Sequence, residues 1–407
     1  MHNEKISATA SMTALQLFLP CAAGVEALLA SEAQAITGLP CSSQRGGVRV
    51  STDWRGMTQL NLNSRLAQRV LIELAHRPYR NEQDVYEAAA SVPWEEWFGL
   101  KQSFKVEVTA QHSPLKSLNF ALLRVKDAIA DRFRDKLGAR PDVQTRWSDV
   151  RVFAHLNADH ITLYIDSSGE PLFKRGWRED KGEAPLKETL AAAMIAASGW
   201  DAKTPLYDPC CGSGTIAIEA AQIACGIAPG QQRRFGFETL LAHQSAPWRE
   251  LQEAARAAQH SSSTPLFGSD VAHRMVDFAE RNAERAGVKG VVQWRGGDAL
   301  QRMPPVDQPG VMLLNPPYGE RIEAAGVAGA GREAPQSQGQ EDFFLQLARH
   351  WKDHYQGWTA WVLSPDLKLP GRMRMKESRR VPLWNGPIEC RMFRFDIGQP
   401  AKPAAQG

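Results

Sequence analysis

From Thr204 onward the chain repeats one pattern: a short apolar run, a loop, then a stretch of helical periodicity. Val311–Leu314 is the clearest of these runs, four residues without a polar position. A strand that does not alternate must be covered on both faces, as in a parallel sheet flanked by helices. Pro205–Asp208, Leu266–Asp270, Val291–Trp294 and Thr359–Leu363 read as further strands of that sheet. Thr215–Cys225, Val271–Ala286 and Phe343–Tyr355 read as its helices. Val381–Trp384 and Ile388–Phe395 flank Asn385-Gly386, a pair that tolerates positive φ at both turn positions, so an antiparallel hairpin is expected to close the sheet. The expected class is α/β, a Rossmann-like doubly wound sheet with a C-terminal hairpin.

The texture differs before residue 168. Leu15–Pro20 reads as an edge strand with a helix at Gly24–Ile36 behind it; a helix is expected at Leu60–Leu74 and a strand at Phe104–Thr109. In a helix over Leu118–Leu137, Leu122, Val125, Ile129 and Phe133 recur at steps of three and four and face a core. Its other face carries Arg124, Lys126, Arg132, Arg134 and Lys136. Strands follow at Val150–Asn157 and His160–Asp166. Gly226–Thr264 and the Gly-rich Ala324–Gly339 read as insertions, the second as a mobile loop.

Four motifs fall at successive strand ends. Asp208-Pro209-Cys210-Cys211-Gly212-Ser213-Gly214-Thr215 joins a strand to a helix, and its glycines let backbone approach a ligand closely. No Lys follows Gly214, which argues against a triphosphate P-loop, and Ile216 and Ala217 stand where a dinucleotide fingerprint needs a third Gly. A ligand without phosphates, such as S-adenosylmethionine, suits the loop better. Asp270 can accept hydrogen bonds from ribose hydroxyls, or it can simply cap the next helix. Asp298 can take an adenine amine, or sit in a plain turn.

The fourth motif is Asn315-Pro316-Pro317-Tyr318. An exocyclic amine on a nucleobase is a poor nucleophile because its lone pair is delocalised into the ring. The Asn315 amide oxygen and the Pro316 carbonyl can accept from its two N–H groups and draw the nitrogen toward tetrahedral geometry, the prolines keeping the turn stiff. Tyr318 offers a face for a flipped-out base. Sulfonium is already an activated methyl donor, so the lack of a strong general-base motif is no objection.

Composition narrows the partners. Lys and Arg exceed Asp and Glu by only 48 to 45, so any nucleic-acid surface must be local. Residues 101–151 hold eleven Lys/Arg against six Asp/Glu, which is either a solvated face or a track for a phosphate backbone. Arg372, Arg374 and Lys376 open a second basic stretch, Arg372–Arg380. The six cysteines form no CxxC pair and no zinc-spaced array, so no metal is expected. With no apolar run of membrane-spanning length and only Ala14–Leu19 apolar near the start, a reduced cytoplasmic protein is expected.

Beyond these motifs, Arg175-Gly176-Trp177-Arg178 and Pro185-Leu186-Lys187-Glu188-Thr189-Leu190 are specific stretches. With the Asp208–Thr215 loop and Asn315–Arg321, they resemble the THUMP-containing class I RNA methyltransferases. Within these the resemblance is strongest to the RlmL type, which acts on guanine N2 of bacterial 23S rRNA. The resemblance implies a ferredoxin-like piece over 12–60, a THUMP RNA-binding domain over 61–167 and a methyltransferase domain over 168–400. It implies S-adenosylmethionine at Asp208–Thr215, Asp270 and Asp298, with Lys187, Glu188 and Thr189 beside its methionine end. Cys210 stands where the family often has Met, and no second methyltransferase domain follows, so only the first activity is inferred. Alternatives are a tRNA guanine-N2 or an adenine-N6 nucleic-acid methyltransferase, or a catalytically silent ribosome-assembly factor.

Overall fold

The structure, a computed structural model, describes residues 14–182, 185–316 and 342–398. In chain order its elements begin β1 (Leu15–Pro20), α1 (Glu26–Thr37), β2 (Cys41–Gln44), β3 (Gly47–Thr52), α2 (Trp54–Asn63), β4 (Leu71–Pro78) and α3 (Glu82–Ala90). β5 (Phe104–Ala110), α4 (Leu118–Leu137), β6 (Val150–Leu156), β7 (His160–Asp166), α5 (Glu188–Ser198), β8 (Leu206–Asp208) and α6 (Thr215–Ala224) follow. Then come α7 (Ser245–Ala257), β9 (Leu266–Asp270), α8 (His273–Arg285), β10 (Val292–Gly296) and β11 (Val311–Leu314). The described chain closes with α9 (Phe343–His354), β12 (Thr359–Ser364), α10 (Leu369–Met373), β13 (Arg379–Asn385) and β14 (Ile388–Asp396). It forms two compact units, one of residues up to 21, 29–172 and 229–254, the other of 22–28, 173–228 and 255 onward.

The first unit is built on a sheet of order β2-β3-β1-β4-β7-β6-β5, in which only β5 and β6 pair in parallel. β1 is therefore interior, not an edge: Leu17 pairs with Val50 on one side and Ile72 on the other. The strand that covers it, β4, lies where a helix over Leu60–Leu74 was expected. The helix instead ends at Asn63, because the buried Glu32 carboxylate captures the N–H groups of Arg65 and Leu66 and the Ser64 hydroxyl. In a continuing helix those N–H groups would bond back along the axis. The expected boundary between residues 60 and 61 falls inside α2. α3, absent from the sequence reading, opens with a capping box from Asn81 and Asp84. α4 buries Ala121, Val125, Ala128, Ile129, Ala130 and Phe133; of the expected stripe Val125, Ile129 and Phe133 are buried and Leu122 is half-buried. Residues 229–254, read as part of an insertion, belong to this unit and carry α7. Gly230 N–H donates to Leu62 C=O, and Arg233 to the Ser168 and Pro171 carbonyls.

The second unit holds the sheet β10-β9-β8-β11-β12-β14-β13, parallel through β12 and closed by the antiparallel β14 and β13. The hairpin stands where expected, but its turn differs. Asn385 is the last strand residue, paired with Ile388, so the two loop residues are Gly386 and Pro387. Only Gly386 has positive φ, +62°, as in a turn with Gly first. The Ala324–Gly339 stretch lies outside the described residues.

Candidate active site

The carboxyl ends of β10, β9, β8 and β11 lie side by side, where doubly wound sheets bind ligands. After β8 the chain turns through Pro209–Gly214 into α6. Gly212 (φ +52°) and Gly214 (φ +88°) supply the left-handed backbone that the turn requires. Cys211 N–H donates to Ser269 C=O at 2.9 Å, and Gly212 N–H to Asp270 Oδ2 at 2.9 Å, so the loop is stitched to the end of β9. Asp270 Oδ1 also accepts from Ala272 N–H, one residue before α8, so this carboxylate ties two loops together rather than capping the helix at its first residue.

Asp208 is 1% exposed, and among the described residues its carboxylate accepts from Cys210 N–H alone, at 3.2 Å. Burial, with the neighbouring Asp270 charge adding to it, pushes its carboxyl well above the ordinary value. Burial likewise raises Asp270. Neither acid has a cationic side-chain partner among the described residues. Cys210, packed on the core beside Tyr207 and Phe267, has its thiol pushed well up by burial and stays neutral. Asp298 Oδ1 accepts from Leu300 N–H at 2.9 Å in a turn two residues past β10. Among the described residues no hydrogen bond joins it to Asp208 or Asp270.

Asn315 directly follows β11. Its Oδ1 is buried and has no hydrogen-bond partner among the described residues, and Pro316 after it is buried. An unsatisfied buried acceptor loses of the order of 1–3 kcal/mol, so it calls for an explanation. Pro317 and Tyr318 lie outside the described residues.

The Lys187–Thr189 stretch opens α5. Glu188 (4% exposed) and Thr189 (7% exposed) are buried, whereas the Lys187 ammonium sits 5.1 Å over the Phe173 ring. Glu188 accepts from Arg178 Nε at 2.8 Å, and Arg178 Nη2 reaches Thr215 Oγ1 at 2.8 Å, so two stretches singled out separately meet through one guanidinium. Arg178 was not among the candidate residues. Nor was Asn282 of α8, 0% exposed, which holds the Ser213 carbonyl at 3.1 Å and the Asp180 carbonyl at 2.8 Å. Its only sequence signal is an amide on the buried stripe of a helix.

The basic candidates in the first unit are mostly committed. Arg132 forks onto Glu95 at 2.8 and 2.7 Å and also reaches Ala90 C=O. Arg124 donates to Gln83 Oε1 and lies over the Tyr86 ring, Lys126 pairs with Asp127, and Arg134 pairs with Asp131. Lys136 is exposed and makes no ion pair within 4 Å among the described residues, though its charge reaches Glu95. In the second unit Arg372 pairs with Asp342 and Asp366, while Arg374 and Lys376 are exposed.

Residues 175–394, more than half of the chain, match the RMKL-like methyltransferase domain. The chain belongs to that family. Upstream, residues 16–71 match the RlmL ferredoxin-like domain and residues 79–166 the THUMP domain. A protein named ribosomal RNA large subunit methyltransferase K/L, from Psychromonas ingrahamii, is 35% identical over 398 residues, covering 96% of this chain and 51% of its own. The chain spans about half the length of the curated relatives it matches. Among solved structures, SMU.472 complexed with SAH is 27% identical with a TM-score of 0.83, covering 96% of this chain and 99% of that one. A protein described as a predicted N6-adenine-specific DNA methylase, from Listeria monocytogenes, is 28% identical with a TM-score of 0.83, covering 96% and 98%. In this RMKL-like domain, the acid pair, Arg178, Asn282 and Asn315 all fall inside the matched stretch.

Proposed function

We propose that this protein transfers a methyl group from S-adenosylmethionine to the exocyclic N2 amine of a guanine in large-subunit (23S) ribosomal RNA, in the cytoplasm. The observation that carries the reading is the orphaned, buried Oδ1 of Asn315 at the end of β11, the strand next to β8, whose end carries the buried Asp208. When bound, S-adenosylmethionine supplies an activated methyl on a cationic sulfonium. The residues present fit it. Asp208 is a buried acid and Asp270 a half-buried one, neither with a cationic side-chain partner among the described residues; Asp270 has lone pairs left for ribose hydroxyls, and Asp298 has its second oxygen left for an adenine amine. Gly212, Ser213 and Gly214 form the turn against which it lies, with Lys187, Glu188 and Thr189 at its amino-acid end.

Asn315 Oδ1 and the Pro316 carbonyl accept from the two N–H groups of the target amine and free its lone pair. Because they are fixed by β11 and a proline, no reorganisation is needed at the moment of reaction. Burial excludes water that would otherwise compete for the same N–H groups. The RNA target rests on the THUMP and ferredoxin-like matches upstream and on the rRNA methyltransferase names of the relatives. Of the basic candidates, Lys136, Arg374 and Lys376 are the ones left exposed for phosphates, and Arg132 is a strut.

The test is nucleoside mass spectrometry of rRNA from cells lacking the protein, paired with methyl transfer to 23S rRNA fragments in vitro. One N2-methylguanosine is expected to disappear from the large subunit and reappear in vitro. Loss of an N6-methyladenosine, or of a tRNA modification, would replace the guanine or the rRNA assignment. An unchanged map would sink both.

A further inference from the structure

One face of the second unit's sheet stays partly open. Tyr207, Phe267, Met312 and Leu314 pack in one cluster with Phe344, Leu347 and Trp351 of α9, which covers the middle of that face. At the β10 edge, Trp294 points toward α6 and α8, 2.8 Å from where a Cβ on Gly214 would stand. Successive strand residues alternate, so Gln293 and Arg295 share the other face with Phe267 and Ser269, their register partners on β9. Residues 297–310, which join β10 to β11, form no helix to cover them. Pro304 and Pro305 lack the N–H groups that a helix would need there.

The result is a cavity of about 390 Å³. Tyr207, Phe267 and Ser269 floor it, Gln293 and Arg295 make one wall, and residues 301–305 make the other. The second wall is pinned: Arg302 N–H donates to Asp298 C=O at 3.0 Å, and the Arg302 carbonyl accepts from His350 Nε2 at 2.7 Å and the Tyr355 hydroxyl at 2.8 Å. Neither Asp208, Gly212–Thr215, Asp270, Asp298 nor Asn315 lines the cavity, so it is not the strand-end cluster described above.

Its charge has one sign. No carboxylate lines it, Arg295 is exposed and Arg302 half-buried, and neither arginine makes an ion pair among the described residues. Two guanidiniums without a counter-charge suit an anion, and their forked donors suit a phosphate. Met303, 56% exposed, adds apolar surface with Phe267 and the two prolines, and the Gln293 and Gln301 amides each offer a donor and an acceptor. A phosphate alone would leave the apolar surface and both amides unused, whereas a nucleotide uses all three. The volume stands near the lower end of small-ligand sites, about 300–1,000 Å³, so it suits one such unit and not a duplex.

We propose that this cavity holds one nucleotide of the RNA strand outside the target, its phosphate on Arg295 and Arg302 and its base against Met303 and the prolines. This deepens the RNA methyltransferase reading and rests on it for the source of the nucleotide. Single-stranded RNA is read through splayed bases, and a second base held here sets the register in which a guanine reaches Asn315.

Filter binding of a 23S rRNA fragment is measured on the full chain, on Arg295→Gln and on Lys203→Gln, which removes an exposed charge outside the cavity. Arg295→Gln is expected to weaken the fragment about tenfold or more, through loss of a charge-assisted hydrogen bond, with Lys203→Gln within about twofold. S-adenosylhomocysteine, titrated by calorimetry, should bind Arg295→Gln within about twofold of the unaltered protein. Ultraviolet cross-linking of the fragment to the unaltered protein should mark residues within 293–305, which decides the matter if Arg295→Gln fails to fold. Equal weakening by both variants would reduce the effect to general charge, and a parallel loss of S-adenosylhomocysteine would make the cavity part of the cofactor pocket; either overturns the proposal. Cross-links confined to other residues overturn it too. Free nucleoside 5′-monophosphates test the other source: micromolar binding in equilibrium dialysis, lost in Arg295→Gln while RNA affinity holds, would give the cavity to a free nucleotide instead. No binding of the fragment to the unaltered protein would remove the RNA reading and this occupant together. Normal binding that Arg295→Gln leaves unchanged removes this occupant alone.

Discussion

Gly212 and Gly214 sit two residues apart in one loop, both with left-handed backbone, yet the structure requires glycine at each for a different reason. A Cβ at Gly214 would lie 2.8 Å from Trp294 Cη2 and 2.9 Å from Ala279 Cβ, well inside contact distance. A Cβ at Gly212 would meet no described atom within 4 Å. Alanine in left-handed backbone costs about 1–2 kcal/mol at either position. Gly214→Ala adds overpacking between the α6 start, α8 and the Trp294 indole, about 1–3 kcal/mol more. For a unit of this size, each kcal/mol lowers the melting temperature by about 2–4 °C. Gly214→Ala should therefore melt about 4–20 °C lower, and Gly212→Ala about 2–8 °C lower.

Affinity should run the other way. Open space above Gly212 is where a ligand backed against the loop would lie, and a methyl there intrudes on the ligand instead of the protein. An overpacking penalty of about 1–3 kcal/mol corresponds to about a 5- to 150-fold loss of S-adenosylhomocysteine affinity. Differential scanning calorimetry and isothermal titration on the two variants measure both quantities. If Gly212→Ala binds within twofold of the unaltered protein, the cofactor does not lie against this loop. If Gly214→Ala is no less stable than Gly212→Ala, the packing argument is wrong.

Asn315→Ala should lower methyl transfer by about 10²–10³-fold, by analogy with loss of one preorganised partner, while thermal stability holds or rises because a buried orphan acceptor is gone; retained turnover would show that the target amine lies elsewhere. Asp208→Asn should stabilise the ligand-free protein. The raised carboxyl value means its favourable contribution is present below about pH 4, where it is protonated even in the unfolded chain, and is lost as pH rises through the raised folded value. The gain in melting temperature over the unaltered protein should thus be larger at pH 7.5 than at pH 5, with weaker cofactor binding; equal gains at both would contradict the buried charge. Arg132→Gln should lower stability by about 1–3 kcal/mol with RNA affinity within about twofold, since its fork is spent on Glu95. Arg374→Gln and Lys376→Gln should each weaken RNA binding and reduce its salt slope by about one, measured by filter binding across salt, and unchanged slopes would remove them from the RNA surface.

What was legible in the sequence was local. β8 and β9 are short runs ended by an acid, and β11 and β12 are short, largely apolar runs, so all four fall within a residue or so of where they were expected. The position of Leu15–Pro20 in its sheet depends on which strands pair with it, and neither β3 nor β4 announces that partner. The end of α2 was set from outside: Glu32, some thirty residues upstream, takes the N–H groups that would have prolonged the helix. Charge could be counted but its spending could not. Arg132 and Lys136 look alike on a helical face, and only the fold forks Arg132 onto Glu95 while Lys136 stays exposed. Asn282 and Arg178 were missed for the same reason, since an amide or guanidinium shows its use only through distant partners.

The second unit carries several polar groups that the described residues satisfy only in part. Asp208 and Asp270 accept from backbone N–H groups but face no cationic side chain, whereas Arg178 Nη1 is a buried donor and Asn315 Oδ1 a buried acceptor with no described partner. A protein tuned for stability alone would pair such groups with one another or replace them. Here they stand on separate strand ends and loops, too fixed by β8, β9 and β11 to collapse together. On the proposed reading the cofactor lies against the loops that carry Asp208 and Asp270, and Asn315 Oδ1 is left for the amine of a second molecule, so the set favours a two-substrate site over a single binding pocket.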